Sequence, residues 1–219
     1  MDYPSDAAGV PLVAIDDHLV VVDKPAGLLS VPGRGADKQD CAAARVRRMV
    51  PDALIVHRLD MATSGLLLLG RGAHMQRALS VLFETRQVAK RYVAVVAGRM
   101  AAPRGEDGWG WIDLPLAADW PNRPRQIVDR TRGRPSRTRW RILQCEHDAT
   151  RIELEPLTGR SHQLRVHLQA IGHPILGDAL YAPPPVQVRS ARLLLHASEL
   201  RLLHPATAQA MQWCSEPPF

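Results

Sequence analysis

His57-Arg58-Leu59-Asp60-Met61-Ala62-Thr63-Ser64-Gly65-Leu66-Leu67-Leu68-Leu69 is the stretch on which the fold turns. Its lead-in, Ile55-Val56-His57, is apolar and β-branched and predicts a short strand. Residues 58–65 predict a loop, rich in small and polar residues from Asp60 to Gly65, and the four leucines behind them predict a core strand. Toward the N-terminus, Leu12-Val13-Ala14-Ile15 and Leu19-Val20-Val21-Val22 predict two short buried strands, joined by a turn at Asp16-Asp17-His18. Residues 27–35, with Pro32, Gly33 and Arg34, form a loop, and a helix over 39–49 is ended by Pro51.

Toward the C-terminus, Met75, Leu79, Leu82 and Phe83 recur at helical spacing over 73–84, and 92–97 predicts a central strand. Residues 100–120 are loop-rich and carry Trp109, Trp111 and Trp120. An arginine-rich segment follows and predicts a hairpin turning at Gly133, and Ile152-Glu153-Leu154-Glu155 alternates as a half-exposed strand does. The next helix has Ser161 as its expected N-cap and Leu164, Leu168 and Ile171 on one face. Gly172 lies just past its end, with Pro174 beyond. After the break at Pro183-Pro184-Pro185, two strands are expected near 193–200 and 208–213.

The first ten residues are polar and small and predict a frayed, flexible N-terminus. No repeat or linker divides the rest, so residues 11–219 are expected to form a single domain. Strands outnumber helices without alternating regularly with them. That predicts an α+β fold with a central mixed, mostly antiparallel sheet flanked by helices and loops.

Composition narrows the class. With 46% hydrophobic and 23% charged residues, wholesale disorder is excluded. The longest apolar runs fall far short of the roughly 20 residues a membrane span needs, and the N-terminus lacks the basic region of a secretory signal. No membrane association is expected. Cys41, Cys145 and Cys214 form no CxxC pair, which fits a reducing cytoplasm and argues against structural zinc. The net charge of +6 favours a polyanion partner, and arginine dominates it, since only Lys24, Lys38 and Lys90 are lysines. Eight arginines fall between Arg123 and Arg141, with Asp129 the only acid among them.

Two places could carry chemistry. Asp60 follows a strand in a small, polar loop, a position more often held by a turn or cap residue than by a catalyst. Thr63-Ser64-Gly65 raises a serine hydrolase, but the Gly-x-Ser-x-Gly elbow is missing, as are P-loop and dinucleotide fingerprints. The second place is Leu157-Thr158-Gly159-Arg160-Ser161-His162-Gln163-Leu164-Arg165-Val166-His167. His162 and Arg165 share a helix face, whereas His162 and His167 lie five apart and miss the i, i+4 spacing of a helical metal site. A polar helix end with His167 as a satisfied core histidine stands beside the functional reading. His173, His196 and His204 read as structural. Tyr92, in Lys90-Arg91-Tyr92-Val93-Ala94-Val95, reads as a core tyrosine with a bonded hydroxyl. These pieces alone describe a basic globular protein with a candidate acid–arginine site.

Together the segments resemble the RluA family of pseudouridine synthases. The resemblance runs through Asp17-His18-Leu19-Val20-Val21-Val22-Asp23-Lys24-Pro25-Ala26-Gly27-Leu28, the His57 to Gly65 segment, and Lys90-Arg91-Tyr92-Val93-Ala94. It continues in Gly159-Arg160-Ser161-His162-Gln163-Leu164-Arg165-Val166-His167, Gly172-His173-Pro174-Ile175-Leu176-Gly177-Asp178 and Arg192-Leu193-Leu194-Leu195-His196-Ala197. Ser30-Val31-Pro32-Gly33-Arg34 and Asp119-Trp120-Pro121-Asn122-Arg123-Pro124 are similar to the short type of that family, with no N-terminal S4-type domain expected.

The resemblance implies an RNA isomerase of pseudouridine synthase fold, working as a monomer without cofactor or metal. Its implied substrates are a 23S ribosomal RNA hairpin and the tRNA anticodon stem-loop. The same chemistry on one RNA class, or RNA binding without catalysis, are the alternatives. It further makes Asp60 the essential carboxylate and Arg165 its charge partner. Tyr92 packs on the extruded base and is a candidate for removing the C5 proton, while Arg58 fills the space the base leaves. His57, Arg34, Arg123, Arg125 and Arg160 are implied RNA contacts, and Trp120 is a candidate for stacking on a base or for core packing.

Overall fold

The structure, a computed structural model, describes residues 6–103, 105 and 107–219. Its first elements are strands β1 (Leu12–Ile15) and β2 (Leu19–Lys24), helix α1 (Ala42–Met49), strands β3 (Ala53–Ile55) and β4 (Ser64–Arg71), helix α2 (Gly72–Glu84) and strand β5 (Ala89–Ala97). The chain continues through β6 (Gly110–Asp113), β7 (Leu116–Ala118), β8 (Gln126–Val128), β9 (Arg137–Cys145) and β10 (Ala149–Pro156). Helices α3 (Gln163–Ala170) and α4 (Pro184–Gln187) and strands β11 (Leu195–Leu203) and β12 (Ala210–Cys214) complete it. This is the α+β class that the sequence predicts. One compact unit comprises Met1–Lys90 with Ala197–Pro218, the other Arg91–His196 with Phe219. The chain passes between them inside strands β5 and β11, so no loop-like linker composition marks the division.

In the first unit β4 is the centre. It pairs antiparallel with β2, placing Val21 opposite Leu68, and with β3, placing Ile55 opposite Leu69. It also adjoins β11, whose other neighbour is the antiparallel β12. Residues 64–70 of β4 are all buried, because a central strand covered on both faces takes a continuous apolar run. Leu66 and Leu68 meet Met75 and Leu79 of α2, together with Leu19, Val21, Leu200, Leu202 and Trp213. At the start of β4, Gly65 has φ +111°, and a Cβ there would fall 2.3 Å from the Ala197 carbonyl oxygen. Only glycine allows that approach.

Of the first ten residues, 6–10 are described and 1–5 lie outside the described residues. Asp6 Oδ1 accepts the amides of Gly9 and Val10, and Ala7 and Val10 are buried. Two expected boundaries shift. Helix α1 begins at Ala42, capped by the Cys41 side chain, rather than at 39. Strand β3 ends at Ile55, which leaves His57 beyond it.

In the second unit the strand order is β5-β10-β9-β6, every pair antiparallel. Helix α3 is buried from Gln163 through Leu168. Its N-cap is His162 in a left-handed conformation (φ 54°), not Ser161, and no side chain caps it. Gly172 past its end takes φ +87°, as expected.

The arginine-rich segment is not one hairpin. The turn at Gly133 exists, since Gly133 N–H donates to the Asp129 carbonyl at 2.8 Å. The strands beside it pair elsewhere: β8 with β7, and β9 with β10 and β6. Local residues specify a turn; the partners of its flanking strands are chosen over distances that local pattern does not register.

Candidate active site

In the first unit the segment carrying Asp60 is a loop between β3 and β4, fastened on both sides of that residue. Before it, the Ser30 hydroxyl donates to the Leu59 carbonyl (2.8 Å) and accepts from the Leu59 amide (3.0 Å). After it, the Met61 carbonyl receives Gly27 N–H (2.8 Å) and Lys24 Nζ (3.2 Å). Lys24 is wholly buried, and Nζ also donates to the carbonyls of Pro25 and Leu28, each at 2.8 Å. A buried ammonium is tolerated when its donors are so met, and here it ties the end of β2 to the loop. Asp60 is half-buried, Leu59 buried and Arg58 exposed. Asp60 closes the loop on itself by accepting Thr63 N–H at its own carbonyl (3.1 Å).

His57 stands at the entry to this loop. Its ring stacks on Phe83 with centroids 4.3 Å apart, and Nε2 accepts the Leu68 amide at 2.9 Å, serving β4 just past the end of β3. Burial, and then the charge of Lys90, push its pKa down to about 3. A neutral imidazole carries no positive charge, and its two contacts fasten the entry of the loop. Arg34 is exposed. Its loop is pinned by Gly33 N–H on the Lys38 carbonyl (2.8 Å) and by the Gln39 amide on the Gly35 carbonyl (2.7 Å).

In the second unit Tyr92 stands half-buried on β5, opposite Leu154 of β10. Arg165 is buried on α3 and meets Asp178 in a two-pronged pair, Nε to Oδ2 at 2.8 Å and Nη2 to Oδ1 at 2.7 Å. Asp178 Oδ1 also accepts the amides of Leu180 (2.9 Å) and Tyr181 (3.1 Å). The Tyr181 hydroxyl accepts Gln126 N–H at 2.8 Å and lies 2.6 Å from His162 Nδ1. Sequence reasoning missed Asp178 and Tyr181 as supports of Arg165, although a Gly-Asp step after the helix was the available signal. His167, left open by the sequence, is a satisfied core histidine: Nδ1 is 2.9 Å from Thr138 Oγ1 and Nε2 3.0 Å from the Leu114 carbonyl. Arg160 is half-buried just before α3, its backbone N–H given to Gln163 Oε1 (3.0 Å).

The arginine-rich stretch separates into two sets. Arg137 pairs with Asp113 (3.2 Å), Arg139 with Asp107 (2.8 Å) and Glu155 (3.6 Å), and Arg141 with Glu153 (2.6 Å). Their guanidinium groups also lie over the rings of Trp109 and Trp111. Arg132 pairs with Asp129. By contrast Arg123, Arg125, Arg130 and Arg134 are exposed and have no carboxylate partner among the described residues. Arg123 stacks on Trp120 with its central carbon 3.5 Å from the ring centroid, and Trp120 is 68% exposed, which removes the core-packing reading.

The family model for RNA pseudouridylate synthase matches residues 18–170. The dual-specificity RNA pseudouridine synthase RluA of Vibrio cholerae is 48% identical over 90% of this chain and 78% of its own length. The protein of the same name from Escherichia coli is 47% identical over 90% of this chain and 88% of its own. Among solved structures, human RNA pseudouridylate synthase domain containing 1 superposes with a TM-score of 0.77 at 26% identity, over all of this chain and 87% of that one. Human RNA pseudouridylate synthase domain containing 4 gives 0.73, also at 26%, over 94% of this chain and 88% of that one.

Proposed function

The chain belongs to the RNA pseudouridylate synthase family, and from that membership we propose that Asp60 is the essential carboxylate with which it isomerises uridine to pseudouridine in RNA. The reaction breaks the N1–C1′ bond of uridine, turns the base and joins C5 to C1′, so nothing is oxidised or hydrolysed. The observation that carries the assignment is the loop itself: a half-buried carboxylate whose neighbours on both sides are bonded to fixed backbone and buried side chains. Such anchoring serves a group that must be held at one angle to a sugar carbon. A stem-loop uridine must leave the stack to reach it, and in this reading Arg58, exposed two residues before Asp60, fills the space the base vacates. Tyr92 and Arg165 keep the catalytic roles that the resemblance implies for them.

RNA is gripped, in this reading, by Arg34, Arg123, Arg125 and Arg160, with Arg130 and Arg134 added by their exposure. Such contacts position the backbone without reading sequence. The dual specificity in the relatives' names supports two substrates, a 23S ribosomal RNA hairpin and the tRNA anticodon stem-loop. Tritium release from C5-labelled uridine in both transcripts tests the whole reading. Asp60→Ala and Asp60→Asn are expected to abolish release while RNA binding survives. Undiminished release by either variant would remove Asp60 from the chemistry, and release from one transcript alone would restrict the substrate to that class.

A further inference from the structure

We infer that Ser30 is a positioning residue for the isomerisation, its buried hydroxyl setting the backbone from which Asp60 projects; this rests on the reading of Asp60 as the essential carboxylate. Ser30 is 3% exposed and lies outside any strand, between β2 and α1. Its one hydroxyl closes both backbone groups of Leu59, giving its hydrogen to the carbonyl at 2.8 Å and a lone pair to the amide at 3.0 Å. In an antiparallel sheet that double contact would come from an opposite residue's backbone. Among the described residues no strand pairs with Leu59, and a side chain takes the strand's place.

Ser30 is itself fixed. The Leu29 carbonyl accepts Ala42 N–H (2.8 Å) and the Ser30 carbonyl accepts Ala43 N–H (3.2 Å), so the serine is bound to the first turn of α1. Leu59 is therefore anchored to a helix through a single oxygen, and Met61 is anchored through Gly27 and Lys24. Asp60 is the residue between these two anchors. Its backbone torsions, and hence the direction of its carboxylate, are limited by both. Leu59 is only 7% exposed, so water does not readily replace the hydroxyl.

Ser30→Ala removes one anchor and touches neither the carboxylate nor any exposed arginine. A shift of about 1 Å at a reacting group costs on the order of 100-fold in rate. The expected result for Ser30→Ala is therefore a kcat lower by roughly 10- to 100-fold, with KM and the Kd for the stem-loop held within about twofold. Ser30→Thr, which keeps the hydroxyl, is expected to recover most of the lost kcat. A folded Ser30→Ala enzyme with wild-type kcat overturns the inference, and so does a loss carried by KM alone. If Ser30→Ala does not fold, Ser30→Cys keeps the volume and weakens the bonds, and full kcat in that variant overturns it equally. Asp60→Ala measured alongside separates the two readings. An active Asp60→Ala sinks the carboxylate assignment, whereas an inactive Asp60→Ala beside a fully active Ser30→Ala sinks only the role of Ser30.

Discussion

Arg165 shows how one residue can be recognised while its surroundings are not. A buried guanidinium needs acceptors for its fork of donors, and Asp178, 1% exposed, meets two of them in the two-pronged geometry that suits arginine better than lysine. Asp178 is in turn oriented by two backbone amides of its own turn. Removing one member of such a buried pair is far more costly than the pair's net contribution, because the other charge stays behind. Asp178→Asn is accordingly expected to lower unfolding stability by about 3 kcal/mol, read from urea denaturation. A loss below about 1 kcal/mol would place the pair among weakly coupled surface bridges instead. Arg165 lay in a legible motif. Its carboxylate stands thirteen positions on, past the helix end, where neither helical nor strand periodicity points.

At the scale of elements, strand alternation decides which arginines are paired with acids and which stay exposed. Arg137, Arg139 and Arg141 alternate along β9 and share a face with Glu153 and Glu155 of β10 and with Trp111 of β6. That face neutralises itself. Arg123 and Arg125 sit instead between β7 and β8, exposed, with Trp120 beside them. Each phosphate contact contributes roughly 0.7–0.9 to the slope of log affinity against log salt. The double variant Arg123→Ala/Arg125→Ala is thus expected to flatten that slope by about 1.5, measured by stem-loop binding at several salt concentrations. Arg139→Ala is expected to leave the slope unchanged. Equal effects from both would mean that the paired arginines release their acids to meet RNA. In the sequence these eight arginines were one cluster; only the register of β9 against β6 and β10 parted them.

At the scale of the whole molecule, His57 links stability to pH. Its folded pKa, about 3, lies well below the ordinary imidazole value of 6.5. The unfolded chain therefore binds a proton that the folded protein refuses. The stability from keeping this ring neutral is complete above about pH 6.5 and is lost as pH falls toward 3. The loss from this residue is roughly 3 kcal/mol by pH 4. His57→Gln, which keeps an acceptor but cannot protonate in this range, is expected to lose less stability than the wild type between pH 7 and pH 4. Parallel curves in urea denaturation would show that the imidazole already titrates in the folded state.

Much of the molecule was legible in its chain. The leucine run of β4, the amphipathic α2 and the alternating strands follow from side-chain periodicity, which is local. The motif around Asp60 and the family follow from residue identity, which needs no coordinates. The tertiary structure alone decided that Ser30 closes Leu59, that Asp178 holds Arg165, that His57 turns inward, and that half of the arginine cluster is spent on acids and tryptophans. These outcomes depend on partners brought close by strand register and loop closure, and no spacing along the chain encodes which buried donor will find which acceptor. Asp60 could be named from the sequence; what holds it in place could be seen only in the fold.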